Sequence, residues 1–418
     1  MSWEPDIPAQ WANERSQIRG SFRLMFAPVF GPFFWGKLLS SSGIWIHNIV
    51  AAIVAYELTG SALVVGVVSA VQFAPQLLLA PMSGKMVDRG NAPLQIVLGR
   101  VVTGIGSGGL AVWIWFAGGV AELPGAFPVM ASSLVVGVGF VVGGPAIHSI
   151  VPSLIRPGEM AAAMALNSVP MTVGRAGGPA LGAVVATQMG PAAAFAMAAA
   201  ASAIYGLIVL ALRLPRGCTH GRDTDLSVRA SLRHLRSDPP LSALLIGIAA
   251  VGIGADPSLT LAPALAADLG GGTSLAGWLA SAFGMGAGAG FLLFATLHRW
   301  LDLARLTSGG LLLMAGGLVI AAASGTPALT LTAFGICGVG MTLAFTSITT
   351  QVQNRSPDAL RGRIMALWLV GFLGVRPFAA GLNGFLADIV SVGTALLTTA
   401  AIVTVLAYLC RPTRLTAR

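Results

Sequence analysis

NSVPMTVGRAGGPALGA, residues 167–183, reads as a membrane helix with one discordant residue. The stretch has no acid, many small residues, prolines at 170 and 179, and Arg175 at its centre. An arginine at mid-bilayer costs roughly 2.5–3.5 kcal/mol on insertion scales, and such residues face other helices or an aqueous cavity rather than lipid. The rest of the chain agrees with a membrane setting. Of 418 residues, 55% are hydrophobic and 9% charged. A soluble globular chain carries about 25% charged residues.

Roughly twenty apolar residues in helix cross a bilayer core. Such runs predict transmembrane helices near 31–57, 62–82, 94–117, 127–151, 160–186, 191–212, 241–266, 274–297, 305–324, 327–350, 363–387 and 392–410. The longest polar break, residues 213–240, carries Arg213, Arg216, Arg222, Arg229, Arg233 and Arg236. It divides the chain into a cytoplasmic tail (1–30), a six-helix half (31–212), a linker (213–240), a second six-helix half (241–410) and a short tail (411–418). The expected fold is all-α, a polytopic bundle of two pseudo-symmetric halves.

The formal net charge is +9. The basic residues recur in alternate loops: Arg15, Arg19 and Arg23, then Lys85 and Arg89, Arg156, the linker, Arg299 and Arg305, Arg355, Arg361 and Arg363, and the C-terminal arginines. The intervening loops hold acids such as Glu122 and Asp268 and no Lys or Arg. The positive-inside rule places both termini and the linker in the cytoplasm. This pattern is a topology signal and not a nucleic-acid surface. Cys218, Cys337 and Cys410 lie far apart and form neither a disulfide framework nor a metal spacing. No metal or cofactor is expected. GVGFVVGG at 137–144 lies inside an apolar span, and no phosphate-binding lysine loop is present, so an ATPase or other enzyme is not expected.

The halves carry a repeat. MALN at 164–167 and MALW at 365–368 are 201 positions apart, and the same offset carries Arg175 onto Arg376. Parallel six-helix halves are an architecture of major facilitator transporters.

Several motifs resemble that superfamily. SGKMVDRG at 83–90 is similar to its loop motif, with Gly84, Asp88 and Arg89 as the gating residues. The resemblance implies a loop that braces the second helix against the eleventh. GRAGGPALGA at 174–183 resembles the fifth-helix signature of the antiporters, with Gly174, Gly178, Pro179 and Gly182 at its key places. That signature implies export. YELTGSALVVGVVSAVQFAPQLLLAP (56–81), GGPAIHSIVPSLI (143–155), AAAMALNS (161–168) and PDALRGRIMAL (357–367) resemble a narrower branch, the enterobactin-exporter-like and macrolide- and multidrug-efflux-like proteins. An acid common in that branch between Gly43 and Trp45 is Ile44 here, so its proton-coupling role does not carry over.

Few titratable groups lie within the spans. Arg175, Arg376, His47 and Asp256 all count to mid-depth, where transporters of this architecture bind substrate. The expected cavity lining is Arg175, Arg376, His47, Asn48, Gln72, Gln76, Asn167 and Asn383. Asp256, which precedes Pro257, and His47 are the expected proton carriers, with Glu57 at the outer end of the first span. The expected function is proton-coupled efflux of a small amphipathic drug or siderophore-like compound across the inner (cytoplasmic) membrane, by a monomer. A proton-coupled importer and a lipid or lipid-linked metabolite transporter are the alternatives.

Overall fold

The computed structural model describes residues 21–88, 91–156, 158–212, 214, 238–357 and 360–415. A short turn of helix, Ser21–Leu24, leads into a first group of long helices. These are α1 (Phe30–Thr59), α2 (Ala62–Asp88), α3 (Ala92–Ala117), α4 (Phe127–Ser149), α5 (Met160–Met189) and α6 (Pro191–Ala211). α7 then runs in three pieces, Pro239–Ala255, Pro257–Thr260 and Ala262–Asp268. α8 (Gly272–Leu297), α9 (Leu303–Ala323) and α10 (Pro327–Arg355) follow. α11 runs in two pieces, Arg361–Gly374 and Arg376–Ile389, and α12 is Val392–Leu409. Each expected span falls on one of these helices.

Local chemistry sets the helix ends. Gly60 closes α1 in the left-handed conformation, φ 65°, and its N–H reaches the Tyr56 carbonyl. The Asn91 side chain accepts from the Leu94 N–H at the start of α3, Asp238 accepts from Leu241 N–H at the start of α7, and Ser391 accepts from Thr394 N–H at the start of α12. Prolines explain the interruptions. Pro257 has no N–H to give the Ile253 carbonyl, which instead accepts from the Asp256 N–H at 3.2 Å, and α7 breaks there.

Ten of the described helical spans are long and apolar enough to cross a membrane. The exceptions are α2, whose qualifying apolar part is the shorter run Ala62–Gln76, and α5. Asn167, Thr172, Arg175, Thr187 and Gln188 dilute α5, because it lies between other helices and need not present a lipid face throughout. With these two the bundle has the twelve-helix arrangement.

In the first group, α1 packs on α5 and α6, α3 on α4 and α6, and α2 on α4. In the second, α10 packs on α8 and α9, α12 on α9, and α7 on α10, α11 and α12. Two broad contacts join the groups: α5 with α8, and α2 with α11. The α2–α4 contact is backbone on backbone, since a Cβ at Gly137 would collide with the Gln72 carbonyl oxygen. Gly137→Val is expected to cost ~1–3 kcal/mol or more through overpacking. The check is the thermal unfolding midpoint of the detergent-purified protein; an unchanged midpoint would mean that α2 and α4 do not meet here.

Both described ends of the chain, residue 21 and residue 415, lie on one face of the bundle, together with the α4–α5, α8–α9 and α10–α11 connections. This terminal face holds Arg23, Arg156, Arg299, Arg305, Arg355, Arg411 and Arg414. Arg355 ties it together, pairing with Asp238 at 3.3 Å and donating to the Leu415 carbonyl at 2.8 Å. The far face holds Glu57, Glu122, Asp268 and Asp388.

Candidate functional site

Two helix breaks sit side by side. Asp256 directly precedes Pro257 in α7, and Arg376 directly precedes Pro377 in α11. The helices touch there closely enough that a Cβ at Gly252 would collide with the Phe372 carbonyl oxygen. Both polar side chains are almost wholly buried. The Asp256 carboxylate is held by two donors: Thr260 Oγ1 at 3.1 Å and Asn383 Nδ2 at 2.9 Å. Asn383 in turn accepts from Thr399 Oγ1 of α12 at 2.6 Å. This chain of bonds fixes the carboxylate across α7, α11 and α12.

Arg376 lies within electrostatic reach of Asp256, and Arg376 Nε has no hydrogen-bond partner. Its guanidinium sits over the Phe73 ring of α2, 4.3 Å from the centroid. Arg175 of α5 sits over two rings, Trp45 of α1 at 5.0 Å and Phe283 of α8 at 4.6 Å. Each guanidinium therefore lies on an aromatic face contributed by the opposite helix group, Phe73 for Arg376 and Phe283 for Arg175. Arg175 and Arg376 feel each other's charge. Cation–π contact is worth roughly 0.5–2 kcal/mol and leaves the N–H edges free. Guanidinium N–H edges can donate in pairs to a carboxylate or phosphate, and here two of them lie within electrostatic reach of one another. Asp256 supplies a nearby group able to bind a proton.

The other residues expected at the site are dispersed around it. His47 is completely buried, but it points into the packing between α1, α3 and α6. Its Nδ1 bonds Ser107 Oγ at 3.1 Å and its ring meets Phe195 edge-on. Gln72 donates to Asn48 at 2.6 Å and so ties α2 to α1. Gln76 is half-buried, with an unpaired Oε1. Asn167 bonds Lys37. Glu57 is exposed at the far end of α1, about ten residues beyond His47, and is not brought to the group. Gly84 and Asp88 belong to the end of α2, but their surroundings and Arg89 lie outside what the structure describes. In the fifth-helix signature, Gly174 and Gly178 press against Ser41–Ser42 and Trp45, and Gly182 against Ile46. The signature is thus a seam between α5 and α1, and Pro179 is buried beside it.

The two helix groups close on the far face and part toward the terminal face. α5 and α8 lie together from Thr187 and Ser274 down to Arg175 and Gly284, where an added Cβ on Gly284 would strike the Arg175 carbonyl. Beyond Thr172 and Gly288 both helices expose their side chains, Met164, Ser168 and Met171 on one and Leu292, Leu293 and Thr296 on the other. At the far end, Asp388 of α11 caps α2. Its Oδ1 accepts from Ala62 N–H at 2.7 Å, and its Oδ2 accepts from Leu63 N–H at 3.1 Å and from the Ser61 hydroxyl. Sequence reasoning missed Asp388, the aromatic platforms Trp45, Phe73 and Phe283, and the buried Lys37.

Solved structures share this arrangement. A bacterial homologue of the human lysosomal transporter Spinster, in an inward-facing, occupied conformation, superposes with a TM-score of 0.72 at 15% identity, covering 92% of this chain and 96% of that one. The same homologue, inward-facing and unoccupied, gives 0.65 at 17%, covering 93% and 95%. A peptide transporter of the POT family in complex with sulfate gives 0.70 at 14%, covering 91% and 93%. At these identities the likeness concerns the fold. No curated protein matches the sequence. Residues 20–417 match the family model described as transmembrane secretion effector, and with nearly its whole length so matched, the chain belongs to that family of major facilitator transporters.

Proposed function

We propose that this protein is a proton-coupled exporter of a small amphipathic compound bearing an anionic group, working by alternating access in the inner (cytoplasmic) membrane. The observation that carries the reading is the pair Arg175 and Arg376, one from each helix group, with Asp256 beside the second. The arginines hold the anionic group and the aromatic rings hold its apolar body. On the positive-inside reading the terminal face is cytoplasmic, and the parting of the helix groups toward it corresponds to an inward-open state. Asp256 takes up a proton when the site faces outward and gives it up when the site faces inward, in exchange for the substrate carried out. This exchange couples proton to substrate, and the fifth-helix signature favours export.

The test is Asp256→Asn in reconstituted vesicles with an imposed pH gradient. Proton-driven movement of substrate should fall to the level of empty vesicles, while the unfolding midpoint stays within a few degrees. Undiminished transport would remove Asp256 from the mechanism. An importer would use the same residues, and counterflow from each side of oriented vesicles separates the two directions. Substrate is found by thermal shift, since a compound bound to the folded state raises the midpoint. Among drugs, siderophores and lipids, amphipathic anions are expected to give the largest shifts, and a response confined to neutral or cationic compounds would contradict the assignment.

A further inference from the structure

One buried cation takes no part in the site above. Lys37 of α1 is 8% exposed. Its Nζ donates to two oxygens of Asn167 on α5, the backbone carbonyl at 2.7 Å and the side-chain Oδ1. A lysine can only donate, so Asn167 must present its oxygen to Lys37 and its amide nitrogen to the other side. That nitrogen lies 3.0 Å from His148 Nδ1 at the end of α4. Nδ1 is then the acceptor, and the neutral ring carries its proton on Nε2. Two donor groups are left over: the third Lys37 N–H and His148 Nε2–H. No carboxylate of the described residues pairs with Lys37. The charged neighbour it feels is Arg100, itself buried and bonded to Ser40 Oγ at 2.9 Å. Glu159, the buried acid at the start of α5, accepts from the Arg156 backbone N–H.

A buried ammonium without a counter-charge is costly unless an anion joins it. His148 is exposed, as is Ser168 next to Asn167, so the cluster is approachable. Its place is fixed by two helices that run in the same direction. Lys37 precedes Trp45 by eight residues on α1, and Asn167 precedes Arg175 by eight on α5. At 1.5 Å per residue both intervals are about 12 Å. The cluster therefore lies one step nearer the terminal face than the arginine pair, on the side where α5 and α8 part.

We infer that Lys37, Asn167 and His148 form a second anion-binding subsite, which takes the carboxylate or phosphate of an amphipathic molecule before it reaches the arginine pair. Its place on a transport path rests on the function proposed above; the binding itself does not.

The probe is dansyl-glycine, a fluorescent amphipathic carboxylate, titrated at low salt into the full-length protein in neutral-lipid nanodiscs without a pH gradient. Energy transfer from tryptophan reports binding. Two phases are expected. Lys37→Met should weaken one of them about tenfold or more, the scale of a lost charge-assisted hydrogen bond, and Lys37→Arg should retain it. His148→Ala, at an exposed position, should weaken the same phase several-fold and serves if Lys37→Met fails to fold. Inorganic phosphate should compete for that phase, and the methyl ester of the probe should show neither. If the wild-type titration is indifferent to Lys37→Met and His148→Ala, the subsite does not exist. Loss of the other phase alone in Arg175→Met leaves this subsite standing. If Arg175→Met changes nothing while Lys37→Met does, the central site fails and the subsite survives.

Discussion

Replacing Arg376 by methionine is expected to weaken binding of dansyl-glycine at the central site by about 100-fold, the combined effect of two charge-assisted hydrogen bonds. It should also stop the probe's movement across a vesicle membrane. The side chain is buried, its Nε is unpaired, and its face is occupied by Phe73, so what the guanidinium still offers is its N–H edge. Methionine keeps the length and apolar contact of the stem and removes that edge. Arg376→Lys should recover only part of the affinity, because an ammonium cannot present two parallel donors. The substitution has a second consequence. Asp256 loses the positive charge that faces it and keeps only Thr260 and Asn383. Removing the positive charge that opposes a buried carboxylate disfavours the folded state. The single variant should therefore unfold at lower temperature. Arg376→Met combined with Asp256→Asn should regain stability without regaining binding. Recovery of binding in the double variant would mean that Arg376 serves only to neutralise Asp256.

Asp388→Ala is expected to open the far face. In the closed arrangement one carboxylate of α11 satisfies two backbone N–H groups and a hydroxyl at the start of α2. It also opposes the positive end of the α2 dipole. When the helix groups separate there, those donors must turn to water and the carboxylate leaves the helix end. Loss of an N-terminal cap costs ~0.5–2 kcal/mol. Transport states lie within a few kcal/mol of each other, so a change of about 1.4 kcal/mol moves the population tenfold. A single cysteine at Ala264, buried at the far end of α7 beside Asp388, should then react up to about tenfold faster with a membrane-impermeant maleimide from the far side. Asp388→Asn, which keeps an acceptor but not the charge, should fall between. Equal labelling rates in all three would show that the cap does not hold the closed state.

The twelve helices were legible because apolar length and Gly/Pro punctuation are local signals. Gly60, Asn91, Pro239 and Ser391 stop or start helices where their own chemistry requires it. The Arg175–Arg376 pair was legible because a charge in an apolar run stands out, and because the repeat offset linked the two positions. Direction was not legible. In a membrane helix the lipid face and the packed face are both apolar, so periodicity does not say which way His47 points. It proved to face α3 and α6, away from the arginine pair. Lys37 escaped notice for a related reason. Seven residues into α1, a lysine reads as one that snorkels to the membrane surface, whereas Asn167 holds it inside. The aromatic platforms were hidden among the chain's other apolar residues. Asp388 looked like an ordinary loop acid, because its partners on α2 are more than three hundred residues away in sequence.

In the proposed function the two helix groups alternate around the arginine pair. This alternation is tested most directly by measuring two spin-label distances in the same preparation. One pair sits on the far face, at Thr59 and Val390; the other sits on the parting helices, at Ser168 and Thr296. Dansyl-glycine is added and pH lowered separately and together. Opposite changes are expected, the far-face distance lengthening as the terminal-face distance shortens, and none of this in Arg376→Met. Distances that stay fixed, or that lengthen and shorten together, would contradict it.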